Sequence, residues 1–235
     1  TWLVWAVNMY GEDRKTETER GGDSSILTEI KRGDWNRSFK NMGARILKNF
    51  TDSARNIKGH DLDRLLLRLN HENNQSNYYR IYDTTRVLYK EAMEVAIEQI
   101  RLGIGALGSK VKFMHAPAHG PGIGTYASWC PANIDCLAVS FHPDKLIDTT
   151  AKVSQYIRGT DQANRYGLDE IIPLAQSLSV PICIPEWSPR FEWPEAEAQQ
   201  RACPVSHIVI QKAYDESFNH VDVRDRLVGE ATYHV

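Results

Sequence analysis

The sequence predicts an α/β fold in which helices cover a sheet of parallel strands. Three observations lead there. Short apolar runs alternate with longer amphipathic stretches along most of the chain, the pattern of successive βα units. Several of the short runs are continuously apolar, as strands are when helices cover one face and a packed interior the other. The longer stretches repeat their apolar residues every three or four positions.

The strands are expected at Leu3–Val7, Leu65–Asn70, Val111–His115, Cys136–Phe141, Pro181–Pro185 and Glu230–His234. Leu88, Ala92, Val95, Ala96 and Ile100 define one helix face, and Ile171, Leu174, Ala175 and Leu178 another. Asp34 or Asn36 is placed to cap a helix running to about Lys48, and Ile208 to Phe218 forms a further helix. Gly11 to Asp34 is polar, charged and glycine-bearing, and reads as a long surface loop. A (β/α)₈ barrel needs eight such units and about 250 residues. Six strands leave it two short, so either two strands lie outside the N-terminal end or a loop conceals one. An open doubly wound sheet is the alternative.

At 235 residues the chain suits a single domain with one sizeable core. Its net charge of −2 offers no electrostatic footprint for nucleic acid or an anionic membrane, so neither is expected as a partner. Runs such as Leu65–Leu67 and Ile182–Ile184 are far too short to span a bilayer. Cys130, Cys136, Cys183 and Cys203 show no zinc-ribbon spacing, and no metal site is expected. Cys183, inside an apolar strand, reads as a buried free thiol. Cys130 and Cys136 are close enough for a disulfide, and two free thiols are the equal alternative.

Catalytic groups of barrel enzymes sit at the C-terminal ends of strands. A glutamate falls there twice. Leu65-Leu66-Leu67-Arg68-Leu69-Asn70-His71-Glu72 and Pro181-Ile182-Cys183-Ile184-Pro185-Glu186-Trp187 each run from an apolar strand into polar residues with one acid. A carboxylate ending a buried strand is costly unless paired, hydrated or used. Two carboxylates about 5–5.5 Å apart across a sugar can act as nucleophile and acid/base, whereas a wider gap admits water and gives inversion. The structural alternative is that each acid pairs with a neighbour such as Arg68 or caps a helix.

Arg68-Leu69-Asn70-His71-Glu72-Asn73-Asn74, followed by Tyr78-Tyr79, resembles the Arg-Pro-x-His-Glu-Met-Asn-Gly…Trp-Tyr segment of glycoside hydrolase family 26. Pro181 to Trp187 is similar to that family's nucleophile segment, and Gly33-Asp34 through Leu47 to its helix before the fourth strand. The resemblance implies a retaining clan A glycosidase with a (β/α)₈ TIM-type barrel. Leu3–Val7 would be its third strand, and the first two would precede Thr1. It implies Glu72 as acid/base and Glu186 as nucleophile. His71, Arg68, Tyr79, His115, His142 and Trp187 are assigned to substrate binding, with a β-linked polysaccharide or oligosaccharide as substrate and no cofactor. An extracellular or cell-surface location is also implied; oligomeric state is left open.

The chain departs from the family at Asn73-Asn74-Gln75, where Met-Asn-Gly is usual, and at Met114-His115, where a tryptophan is expected. Ser140 and His142 stand where Asp-x-Tyr is common. These departures sustain the alternative of a non-catalytic carbohydrate-binding or structural relative.

Gly103-Ile104-Gly105-Ala106-Leu107-Gly108 spells G-x-G-x-x-G but closes a helix instead of opening one, so it reads as a helix stop and not a dinucleotide fingerprint. Ala116-Pro117 keeps His115 and His119 off a common helical face, and His115 is expected to face the cleft as a hydrogen-bonding residue. His71 either orients the acid/base or is a satisfied strand-end histidine. Trp5, Tyr78, Tyr79, Trp129, Trp187, Phe191 and Trp193 are expected near the active face, with Trp187 and Tyr79 the leading platforms for a sugar ring.

Overall fold

The structure, a computed structural model, describes residues 3–7, 9, 24–51, 62–70, 85–119, 124–141, 150–161, 166–184 and 227–230. They fall into two compact units, Thr1–Ala116 with Ile123–Cys136, and Pro117–Gly122 with Leu137–Val235.

The first unit carries three parallel strands in sequential order, β1 (Leu3–Val7), β2 (Leu65–Leu69) and β3 (Lys112–His115). Trp5 lies opposite Leu67, which lies opposite Phe113, while Ala6, Arg68 and Met114 form the adjacent row. Side chains alternate across a strand, so these two rows belong to opposite faces of the sheet. All five residues of β2 are buried, whereas β1 is partly exposed throughout.

Helices α1 (Ser24–Arg32) and α2 (Asn36–Thr51) connect β1 to β2. Helix α1 replaces the last third of the expected loop. Its Ile26, Leu27 and Ile30 are buried, a short apolar stripe easily lost within a polar run. It stops at Gly33, whose φ of 96° is open to glycine, and the Asp34 N–H closes the turn on the Glu29 carbonyl at 3.0 Å. Neither expected cap is made. The Asp34 carboxylate turns back onto Arg32 and accepts from its Nε at 2.9 Å, while Asn36 Oδ1 has no hydrogen-bond partner. The helix forms regardless because Phe39, Gly43 and Ile46 are buried at helical spacing.

Helix α3 (Arg86–Ile104) buries Tyr89, Ala92, Met93, Ala96, Ile97, Ile100 and Ile104 along one face. It ends at Gly105, with φ 74°, and a tight turn over Gly105–Lys110 leads into β3. The glycine-rich motif is thus a helix stop, as its position in the sequence indicates. Gly103 has a separate duty, because a Cβ there would run into the Lys40 carbonyl of α2, and one on Gly43 would meet the Ile100 carbonyl of α3. The two glycines let the helices cross with their backbones in contact.

Asp135 secures the start of β3. Its N–H donates to the Phe113 carbonyl at 2.8 Å, and its carboxylate accepts from the Phe113 N–H at 2.9 Å, Arg101 Nη2 at 2.5 Å and Lys112 Nζ at 3.3 Å.

The second unit also has three parallel strands in sequential order, β4 (Cys136–Ala138), β5 (Ile182–Ile184) and β6 (Leu227–Glu230). Leu137 pairs with Ile182, and Ile182 with Leu227. β4 is shorter than expected, but parallel pairing resumes beyond it as a bridge between Ala118 and Ser140. β6 lies earlier than expected, sharing only Glu230 with the anticipated Glu230–His234; residues 231–235 are outside the described residues.

Helices α4 (Thr150–Arg158) and α5 (Leu168–Leu178) lie between β4 and β5 in the chain. α5 buries Leu168, Ile171, Ile172 and Ala175 and begins with Asp169 and Glu170, acids that suit the positive end of the helix dipole. The Thr150–Arg158 helix was not anticipated, and the expected helix at Ile208–Phe218 lies outside the described residues.

Substituting Gly103→Ala forces α2 and α3 apart at their crossing. It is expected to cost about 1–3 kcal/mol, the usual range for overpacking. Urea unfolding of the variant checks this, and an unchanged midpoint would contradict the close crossing.

Candidate active site

The two expected catalytic acids follow the C-terminal ends of strands in the two units. Glu72 comes two residues after Asn70, which closes β2, and Glu186 comes two residues after Ile184, the last of β5. Glu72 and Glu186 themselves lie outside the described residues, as do His71, Tyr79, His142 and Trp187. Of the residues assigned to the site, Arg68 and His115 are described.

Arg68 is 2% exposed, on the sheet face opposite Trp5, Leu67 and Phe113, and its Nη2 donates to the Ala116 carbonyl at 3.2 Å. A guanidinium stays charged at any accessible pH, so burying it commits the surroundings to polar partners. Its bond to Ala116 joins the ends of β2 and β3.

His115 differs from its expected place. It shares the sheet face of Trp5, Leu67 and Phe113, two residues beyond Phe113, and is fully buried, packed against Trp129 at 4.8 Å, Tyr126 at 5.3 Å and Tyr89 of α3 at 6.2 Å between ring centroids. The Tyr126 hydroxyl donates to the His115 carbonyl at 3.0 Å and lies 3.0 Å from His115 Nδ1, which therefore donates to that hydroxyl. Burial, with a smaller contribution from the Arg68 charge, lowers its pKa to about 3, so the ring is neutral. One residue of strand alternation separates the cleft-facing expectation from this core position. Trp129, expected near the active face, is likewise fully buried in the cluster.

Trp5 lines a groove of about 430 Å³ with Val7, Met42 and Ile46 among others, on the face covered by α2. In the second unit His119 is buried against Tyr156 and Phe141, with Nε2 on the Tyr156 carbonyl. Ser140 is also fully buried; its N–H donates to the Pro117 carbonyl and its carbonyl accepts from the His119 N–H. Cys130, Cys136 and Cys183 are buried free thiols, so the disulfide alternative for the first pair is not realised; burial raises the Cys130 pKa far above its usual value.

Asn70 is a rim residue that sequence reading missed. It is 1% exposed and holds a left-handed φ of 53°. Its N–H donates to the Val7 carbonyl at 2.9 Å, and its Oδ1 accepts the Met9 N–H at 2.8 Å. The signal was available, since asparagine after a strand is among the few residues that enter this backbone region readily.

Neither a family model nor a curated protein matches the sequence. Similar solved structures include the GH53 catalytic domain of Ignisphaera aggregans, at TM-score 0.51 and 12% identity over 97% of this chain. A GH26 β-mannanase from Bacteroides ovatus aligns at TM-score 0.46 and 17% identity over 70% of this chain. An endoglucanase aligns at TM-score 0.46 and 13% identity over 99%. This chain spans 61%, 44% and 64% of those three chains, respectively. The likeness to the GH53 domain is one of fold. The class it defines is a glycosidase-like α/β fold of parallel strands and helices.

Two measurements test the buried groups. Unfolded His115 takes up its proton near pH 6.5, but the folded form does so only near pH 3. The unfolded state therefore binds more protons between these values, and stability falls as pH drops through that window. Unfolding free energies of His115→Phe should vary less steeply with pH between about 3 and 6.5, whatever their offset; an unchanged slope would refute the neutral buried ring. Thiol labelling of the native protein, mapped by peptide mass, should spare Cys130, Cys136 and Cys183 until denaturant is added. Rapid native labelling at Cys130 would contradict its burial.

Proposed function

We propose that the chain is a retaining endo-β-glycanase that hydrolyses a β-linked polysaccharide, mannan-like or a related β-glucan or xylan. The observation that carries this is the placement of a glutamate two residues beyond Asn70 at the end of β2, and another two residues beyond Ile184 at the end of β5. Parallel α/β enzymes assemble their chemistry at such strand ends. The glycosidase-like fold supports it, and the Arg68–Asn74 and Pro181–Trp187 motifs point to glycoside hydrolase family 26. The complete fold is proposed to be a (β/α)₈ barrel, in a protein acting outside the cell or at its surface.

The mechanism is double displacement. A carboxylate oxygen of Glu186 attacks the anomeric carbon as the glycosidic C–O bond breaks, and protonated Glu72 gives its proton to the departing oxygen. Ionised Glu72 then removes a proton from water, whose oxygen attacks the same carbon and releases Glu186. The two inversions restore the starting configuration. Arg68, a permanent positive charge beneath the rim, is proposed to help keep Glu186 ionised. His71, Tyr79, His142 and Trp187 are proposed to contact the sugar through hydrogen bonds and ring stacking. His115 acts on substrate only indirectly, as part of the packing behind β3. The proposed chemistry uses no metal or organic cofactor.

Incubating wild type, Glu186→Ala and Glu72→Ala with β-mannan, β-xylan and mixed-linkage glucan tests the assignment. Wild type should release oligosaccharides from one of them, Glu72→Ala should be slower by about 10²–10⁴-fold, and Glu186→Ala should release none. Equal release by wild type and Glu186→Ala would remove the nucleophile assignment. Binding without release by wild type would favour a non-catalytic carbohydrate-binding relative.

A further inference from the structure

The groove between β1 and α2 is lined in a way that core packing does not require. A helix laid on a sheet usually turns an apolar stripe toward it. The stripe that α2 turns to β1 is divided along its length. Met42 contributes an apolar floor, while Ser38, Asn41, Arg45 and Asn49, each three or four residues after the last, bring a hydroxyl, two carboxamides and a guanidinium to the same groove. Trp5, half-buried on β1, lines it from the strand side. Ser38, Asn41 and Arg45 are exposed and Asn49 is half-buried. Among the described residues, no hydrogen bond or ion pair takes up any of these four polar side chains. The groove holds about 430 Å³, within the range of about 300–1,000 Å³ that small-molecule sites occupy.

We propose that this groove binds a neutral oligosaccharide, with the C–H face of one sugar ring stacked on Trp5 and its hydroxyls held by Asn41, Arg45 and Asn49. Trp5 lies on the sheet face opposite Arg68, so this is a carbohydrate site on the helix-covered face, additional to the strand ends proposed for cleavage. Its occupancy needs no turnover, and it does not rest on the glycanase reading. The chemistry of the lining selects the ligand. A sugar hydroxyl both donates and accepts, as a carboxamide does, whereas a guanidinium only donates. A ring carrying several hydroxyls satisfies all three side chains while its apolar face covers the indole. A simple anion would use the donors but leave both carboxamide oxygens and the indole face without a partner. An aliphatic ligand would cover Trp5 and Met42 but desolvate the amides and the guanidinium unpaired, which is unfavourable.

The site is tested in the full chain carrying Glu186→Ala, which blocks the proposed cleavage, by following the Trp5 indole N–H resonance, identified by its loss in Trp5→Phe. Mannotetraose, xylotetraose and cellotetraose are titrated separately. At least one should shift the Trp5 resonance to saturation. Adding Asn41→Ala and Arg45→Ala, at exposed positions where alanine suits a helix, should weaken that binding about tenfold or more. A Trp5 resonance unmoved by all three sugars, or a shift with the same midpoint in the Asn41→Ala, Arg45→Ala protein, would overturn the proposal. So would a Trp5 resonance in the free protein that a soluble gadolinium chelate does not broaden, because protein would then cover the groove. A shift that follows protein concentration without sugar would assign the groove to contacts between copies of the chain and overturn it as well. Failure of wild type to cleave any polysaccharide would count against the glycanase reading alone, while the Trp5 titration still decides this site.

Discussion

The first unit depends on β2 being buried on both faces while carrying polar residues at its C-terminal end. Leu65, Leu66, Leu67 and Leu69 supply the apolar interior, but Arg68 and Asn70 are buried with them. An unpaired buried amide bond costs about 1–3 kcal/mol and an unpaired charge more. These groups therefore dictate what surrounds the strand end. Arg68 takes the Ala116 carbonyl beyond β3, and Asn70 takes Val7 and Met9 from the β1 side. The three strand ends are joined by side-chain and backbone polar bonds at the edge where the chain runs on to Glu72.

The opposite end of β3 is held differently. Asp135 accepts from Arg101, Lys112 and the Phe113 backbone, and its neighbours Ala132 and Asn133 bond to Glu94 on α3. This end is partly open to solvent, where ion pairs contribute little each, so its strength comes from shared backbone bonds. Between the two ends, α3 packs on the sheet through Tyr89, His115, Tyr126 and Trp129. The neutral His115 belongs to that packing: its ring spends its one N–H on Tyr126 and presents the rest to aromatic surface.

In the second unit the analogous strand end is β5, with α5 buried through Leu168, Ile171, Ile172 and Ala175 and delivered to the strand by a left-handed Ser179. Strand ends that project acids from a rigid parallel sheet are a general solution for enzymes that must hold two groups against a substrate. A core histidine and a core tryptophan stand where the sequence suggested surface contacts.

Strand positions were legible from composition, because a strand packed between helices and an interior is predominantly apolar; Leu65–Leu69 is buried throughout despite Arg68, while Leu3–Val7 was read from the same kind of run although β1 is partly exposed. Helices α3 and α5 were legible from their period, α2 from the cap candidates before it, and the stop at Gly105 from its place between a helix and a strand. Helix α1 was hidden by its polar surroundings, and the Asp34 and Asn36 caps failed because a charged neighbour competed for one and packing made the other unnecessary. The sequence by itself determined an α/β alternation and an acid following each of two strands. Only the tertiary structure decided which face His115 and Trp129 occupy, why Gly103 must lack a side chain, and that Asn70 bridges to Met9. Those outcomes depend on strand register and helix crossing, and both are set by contacts between residues far apart in the chain.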